Sequence, residues 1–141
     1  MCGIAGLARG AASPPCPLPS LEAMAEALRH RGPDGAHIRR ENGADLVHAR
    51  LSIIDLSGGD QPLSNTAATL VANGEIYNDP LIRQSFTPAS FKTGSDCESA
   101  LALFTREGAD YPRHLRGMYA IALHDTGTGE MLLSRDPFGI K

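Results

Sequence analysis

Cysteine is scarce in this 141-residue chain, with three residues at positions 2, 16 and 97. An odd number without paired spacing offers no disulfide framework and points to a reducing compartment. A basic surplus is also missing. Thirteen Lys and Arg against sixteen Asp and Glu leave a net charge of −3, which removes the electrostatic case for nucleic acid or an anionic membrane. No apolar run approaches the roughly 18 residues of a membrane span. The stretch Met1 to Gly10 has neither the basic start nor the apolar core of a signal peptide. The five histidines (His30, His37, His48, His114, His124) form no His-x-x-x-His pair, and no Cys-x-x-Cys occurs, so no metal site is expected. Walker A and Gly-x-Gly-x-x-Gly patterns are absent, so no loop is set to cradle a nucleotide phosphate. What remains is ordinary globular composition, 42% hydrophobic and 21% charged, enough for one domain with a buried core. The expectation is a cytoplasmic protein.

Local patterns predict alternating sheets and helices. A short strand covers Cys2 to Ala8, and four prolines between Arg9 and Pro19 predict a loop. Ser20 can cap a helix that places Leu21, Met24, Ala25 and Leu28 on one face. Gly32, Pro33 and Gly35 then enforce a tight loop. Asp45 to Asp55 alternates before turning apolar, which predicts a strand entering the core, broken at Gly58-Gly59. Thr69 to Ala72 reads as a strand ending in a turn at Asn73-Gly74-Glu75. Asp79 to Phe91, with Pro80 and Pro88, reads as a loop. Ser95 with Glu98 three residues on forms a capping box, opening a helix that Gly108 stops. Gly117 to His124 and Glu130 to Arg135 read as strands around a turn at Asp125 to Gly129. The sum is an α+β arrangement.

Chemistry concentrates at four places. Cys2 directly follows Met1. Removal of Met1 would give one residue both a thiol nucleophile and an α-amine base, titrating at about 8.5 and about 7.7–8.0. A second-position cysteine also fits accident. Arg50, at a strand end, suits a bidentate grip on a carboxylate or an ordinary surface ion pair. Asn73 and Gly74 offer a side-chain amide and a backbone N–H, the donors of an oxyanion hole, or simply a turn. Asp96, at the first helical position, suits the helix dipole or an ammonium ligand. Arg50 and Asp96 together would read both ends of an α-amino acid. His48 reads as a packed or hydrogen-bonded strand residue rather than a base.

In order along the chain stand Met1-Cys2-Gly3-Ile4, Arg29 to Gly35, His48 to Asp55, Gln61-Pro62, Asn73 to Asn78, Gly94 to Glu98, Gly117 to Ala120 and Arg135 to Lys141. Together they resemble the N-terminal glutaminase domain of the glutamine-hydrolysing asparagine synthetases, a class II glutamine amidotransferase. The resemblance runs from first residue to last. It implies an N-terminal-nucleophile (Ntn) hydrolase fold, an αββα four-layer sandwich. It also implies roles: Cys2 as nucleophile, with Asn73 and Gly74 as the oxyanion hole. Arg50 would bind the glutamine carboxylate, with Leu51, Ser52, Ile53 and Ile54 shaping the pocket, Glu75 lining it and Asp96 holding the amine. The partners implied are L-glutamine, a synthetase domain or subunit that accepts ammonia and converts aspartate to asparagine, and a homodimer as a possible assembly. No cofactor is implied in this domain; ATP and Mg belong to the synthetase.

Set against that family, the chain reaches Lys141 short of further strands and carries no ATP-pyrophosphatase signature. The expectation is an incomplete domain over residues 1–141 with an unpaired sheet edge. The alternatives are a non-catalytic glutamine-binding or interaction module, and the amidotransferase of a related tailoring synthetase.

Overall fold

The computed structural model describes residues 1–10 and 13–141. Two antiparallel sheets stack face to face. The first has order β1-β3-β2, from β1 (Gly3–Ala8), β2 (Gly35–Glu41) and β3 (Ala44–Arg50). The second has order β4-β5-β6-β7, from β4 (Leu63–Ser64), β5 (Ala68–Ile76), β6 (Gly117–Asp125) and β7 (Met131–Arg135). Helix α1 (Leu18–Ala27) covers the first sheet and α3 (Glu98–Glu107) the second, while β3 and β1 meet β5 across the middle. That is the αββα order the resemblance implies. No helix among the described residues is long and apolar enough to cross a membrane.

Strand alternation divides the side chains of β5. Ala68, Leu70, Ala72 and Ile76 join Leu101, Leu103, Tyr119, Ile121 and Leu123 in the main apolar core beneath α3. A smaller cluster of Leu21, Ala25 and Val47 glues α1 to β3, on the face that the helical spacing predicts.

Several local expectations are corrected. Helix α1 begins at Leu18, not after Pro19, because proline at the first turn gives up no needed N–H. Ser20 lies inside the helix and caps nothing. Strand β2 carries no clear sequence signal, being an edge strand exposed on most of its length. Strand β3 ends at Arg50; the apolar residues beyond it form a loop with Ile53 60% and Leu56 71% exposed. Asn73, Gly74 and Glu75 make no turn, since β5 runs straight through them. A Cβ on Gly74 would lie 2.1 Å from the Met118 carbonyl oxygen, so glycine there serves strand packing. Asp79 to Phe91 holds α2 (Asp79–Gln84) and a 3-10 turn at Pro88–Ser90. Asp79 pairs with Arg83 one turn on at 2.9 Å and accepts from Ser99 Oγ at 2.6 Å, which ties α2 to α3. The capping box does not form. The Glu98 carboxylate accepts instead from the N–H groups of Lys92 and Thr93, and α3 starts one residue after Cys97. Gly108 ends α3 with φ 58°, as the stop signal predicts.

Candidate active site

One cavity opens between the two sheets at the end where β1 starts and β3 finishes. Cys2, Arg50, Leu51, Ile53, Ile54, Asn73, Gly74, Glu75 and Asp96 all line it. Ser52 does not: its N–H donates to Asp34 Oδ2 at 2.7 Å, which pins that residue to the outer loop. His48, Gln61 and Cys97 line the cavity without having been assigned a role from sequence.

Cys2 is half-buried, and its sulfur sits against the main chain of Leu51. The Leu51 N–H donates to Sγ at 3.4 Å, and Sγ lies 3.6 Å from the Leu51 carbonyl oxygen. Arg31 Nε donates to the Cys2 carbonyl at 3.3 Å. The second cavity thiol, Cys97, is buried; burial first, then the neighbouring Asp96 and Cys2, push it well above the usual thiol range. A thiol held protonated is a poor nucleophile, so Cys2 is the cavity's candidate.

Gly74 owes its chemistry to register. In an antiparallel strand, alternate residues aim both N–H and C=O to one side. The odd residues of β5 face β6, as the continuing bond from Tyr77 N–H to Arg116 O marks. The even residues face the other edge, where β4 reaches only Thr69 and Leu70. Beyond β4, the Ala72 N–H donates to Gln61 Oε1 at 2.6 Å and the Ile76 N–H to Asp96 Oδ2 at 2.5 Å. The Gly74 N–H stands between these two, with no acceptor among the described residues. An unclaimed donor facing a cavity beside the Asn73 side chain is the arrangement an oxyanion needs.

Arg50 projects from the end of β3 with its side chain only 9% exposed. Nη1 donates to Asp60 Oδ1 at 2.6 Å and Nη2 to the Asp55 carbonyl at 2.5 Å. Nε has no acceptor among the described residues, so one edge of the guanidinium is open to a ligand carboxylate. Asp96 stands across the cavity. Burial raises its carboxyl above the ordinary range, the Ile76 N–H opposes that, and Asp79 adds to it. A bound cation beside Asp96 would relieve the desolvation.

His48 is buried, with neither ring nitrogen hydrogen-bonded. Burial, then the charges of His37 and Arg50, lowers its pKa from 6.5 to about 4. The ring is therefore neutral at pH 7, in keeping with a packed residue. No group of three or more His, Cys, Asp or Glu among the described residues is placed to hold a metal ion.

Comparison with known proteins adds an independent line. The family model for the glutamine amidotransferase domain matches residues 1–141. Asparagine synthetase B [glutamine-hydrolyzing] of Escherichia coli (strain K12) is 43% identical over 120 residues, covering 83% of this chain and 22% of that protein. Asparagine synthetase [glutamine-hydrolyzing] 2 of Bacillus subtilis (strain 168) is 39% identical over 145 aligned positions, covering 100% of this chain and 19% of that protein. The chain thus spans about a fifth of the length of these curated relatives. Among solved structures, glutamine phosphoribosylpyrophosphate amidotransferase from B. subtilis aligns with a TM-score of 0.69 at 20% identity. That alignment covers 99% of this chain and 38% of the other, and at such identity the likeness is one of fold.

Proposed function

The chain belongs to the glutamine amidotransferase domain family, and from that premise we propose that it hydrolyses the side-chain amide of L-glutamine through Cys2. The observation that carries the reading is the meeting of Cys2, Arg50, Asn73, Gly74 and Asp96 on one cavity, with the Gly74 N–H unclaimed among the described residues. While Met1 is attached, the nitrogen of Cys2 is an amide and has no basicity to offer. Its removal exposes an α-amine on the same residue as the thiol, able to take the thiol proton directly or through one water.

Arg50 would bind the glutamine α-carboxylate through its open edge and Asp96 the α-ammonium, which sends the side-chain amide toward Cys2. The apolar Leu51, Ile53 and Ile54 would flank the methylenes, with Glu75 beside the site. Sγ attacks the amide carbon, and the carbonyl oxygen becomes an oxyanion held by the Gly74 N–H and the Asn73 amide. The C–N bond breaks as the leaving nitrogen takes the proton, releasing ammonia and leaving a thioester. Water then attacks the thioester carbon, glutamate departs and the thiol is restored. None of these steps calls for a cofactor.

The relatives' names support asparagine synthesis as the destination for the ammonia; that the acceptor is an ATP-dependent synthetase domain or subunit acting on aspartate follows from the resemblance alone. We place the protein in the cytoplasm, where three unpaired cysteines are at home. The test is glutamate release from L-glutamine by purified protein, with intact mass reporting whether Met1 is gone and Cys2→Ala run alongside. Turnover that vanishes in Cys2→Ala supports the reading. A folded, processed chain with no turnover, or turnover surviving in Cys2→Ala, sinks it.

A further inference from the structure

Asp55 is the only non-glycine residue with positive φ (49°) among those described. Aspartate and asparagine enter this region more readily than other side chains, because their short polar groups hydrogen-bond locally. Its partners come from its own loop, from Arg50 and from the segment that leads to Asp96. On its own loop, Oδ1 accepts from the Gly58 N–H at 3.0 Å, and the main-chain carbonyl accepts from Gly59 N–H at 3.0 Å. That same carbonyl accepts from Arg50 Nη2 at 2.5 Å. Beside the cavity rather than in its lining, Oδ2 accepts from the Gly94 N–H at 2.7 Å, two residues before Asp96.

The surrounding glycines leave no slack. A Cβ on Gly58 would lie 2.8 Å from Asp55 Oδ2, and one on Gly59 3.0 Å from the Asp55 carbonyl and 3.1 Å from Arg50 Nη2. On Gly94 it would meet Asp55 Cγ at 3.3 Å. One aspartate therefore touches both the guanidinium and the segment bearing Asp96. Nothing else among the described residues hydrogen-bonds both.

We propose that Asp55 is a positioning residue that sets the spacing between the carboxylate grip of Arg50 and the ammonium grip of Asp96. This rests on the glutamine-hydrolase reading above and names the part that measures the substrate. The left-handed backbone aims the carbonyl at Arg50 while the side chain reaches Gly94, so one conformation serves both. Arg83 and Glu98 still hold Thr93 and Ser95 from below, so removing the carboxylate cuts only the tie between that segment and the Arg50 loop, and the two grips no longer match an α-amino acid at once. Attack at Cys2 by a reagent that uses neither grip is unaffected.

Two electrophiles separate these effects on the full-length, Met1-processed chain, with peptide mapping to follow Cys2 alone. Iodoacetamide needs only the thiol. The diazoketone analogue of L-glutamine (diazo-oxo-norleucine) needs both grips; Sγ displaces dinitrogen from its terminal carbon after that carbon is protonated. In Asp55→Ala the diazoketone rate falls about tenfold or more, as loss of hydrogen bonds to a charged group implies. The iodoacetamide rate stays within about twofold of the parent. Asp55→Asn keeps one acceptor oxygen and a side chain that tolerates positive φ, and falls between the two, so the ranking survives if the alanine variant does not fold. Equal slowing with both reagents, or slowing with neither, overturns the proposal. A parent alkylated at Cys2 by iodoacetamide but not by the diazoketone overturns the glutamine reading itself, and the role of Asp55 falls with it.

Discussion

The two faces of β5 are built from opposite materials. Toward α3 lie Leu70, Ala72 and Ile76, sealed under Leu101, Leu103 and Tyr119. Toward the other sheet lie Thr69, Val71, Asn73 and Glu75, meeting Leu46, His48 and Arg50 of β3. The first face is continuous hydrocarbon. The second holds two buried histidines, His48 and His124, whose ring nitrogens make no hydrogen bonds, and it opens into the cavity. Because side chains alternate, a slip of one residue would exchange the two faces entirely. Stability is thus concentrated on one side of the strand, and the other side is free to carry polar groups that cost folding energy.

The sharpest break in that comparison is Cys2→Ala. It removes the attacking sulfur, and glutamate release falls by about 10³-fold or more. The residue is half-buried and outside both apolar clusters, so the melting temperature stays within about 2 °C of the parent. A large drop in melting temperature would mean that the cavity face contributes more to the fold than this division allows. Leu101→Ala makes the converse cut. The side chain is 1% exposed under β5, and its loss costs about 2–5 kcal/mol. Denaturant unfolding should show that loss, while KM for glutamine in the folded fraction stays within about twofold.

The pH dependence of stability reads the polar face. His48 has a folded-state pKa of about 4 against 6.5 unfolded. The unfolded chain takes the proton first, so stability falls as pH drops below 6.5 and is fully lost to this group below about 4. The shift corresponds to ~3 kcal/mol. Asp96 works in the opposite sense, since its raised carboxyl lets the folded chain bind a proton more readily at the acid end. Asp125 and Asp136 are both held low: desolvation opposes, but backbone N–H bonds win, from Gly127 and Thr128 to Asp125 and from Ile140 and Lys141 foremost to Asp136. Their contributions vanish only as pH falls below the ordinary carboxylate range. His48→Leu should therefore flatten the stability curve between pH 6.5 and 4 and leave the steeper loss below it. An unchanged slope would show that another group titrates there.

How much of this was legible beforehand follows from the kind of signal each residue carries. Cys2, Arg50 and Asp96 stand out as residue types in telling positions, and they line one cavity. At Gly74 the donor reading stands with the geometry, while the turn reading does not. An Asn-Gly pair signals a turn locally, but the need for glycine comes from Met118 across the β5–β6 ladder, a contact invisible along the chain. The run after Arg50 was apolar enough to suggest a core strand; it is instead cavity wall and exposed loop, because tertiary position overrides local hydrophobicity. Asp55 and Gln61 were within reach as motif members, yet their roles depend on Gly94 and Ala72, 39 and 11 residues away. Register and loop closure decide those, and neither is written in spacing.

Asp60 gives the finest test of how the polar face is tuned. Its carboxylate holds Arg50 Nη1 at 2.6 Å, but the side chain is 54% exposed, so the pair is worth only about 0–1 kcal/mol. His37 Nε2 lies 3.6 Å from the same oxygen. Asp60 neutralises part of the charge on the guanidinium whose Nε edge a substrate carboxylate would use. Once that carboxylate binds, two negative groups share one arginine, and the aspartate opposes the ligand. Asp60→Asn keeps an acceptor for Nη1 and removes the repulsion, so KM for glutamine should fall by a few-fold, about fivefold at most, with kcat unchanged. Salt should shrink the difference, because the aspartate is exposed enough to be screened. A rise in KM would mean that the charge of Asp60 is needed to hold the guanidinium in line, and that Arg50 is aimed by its neighbours more than it is contested by them.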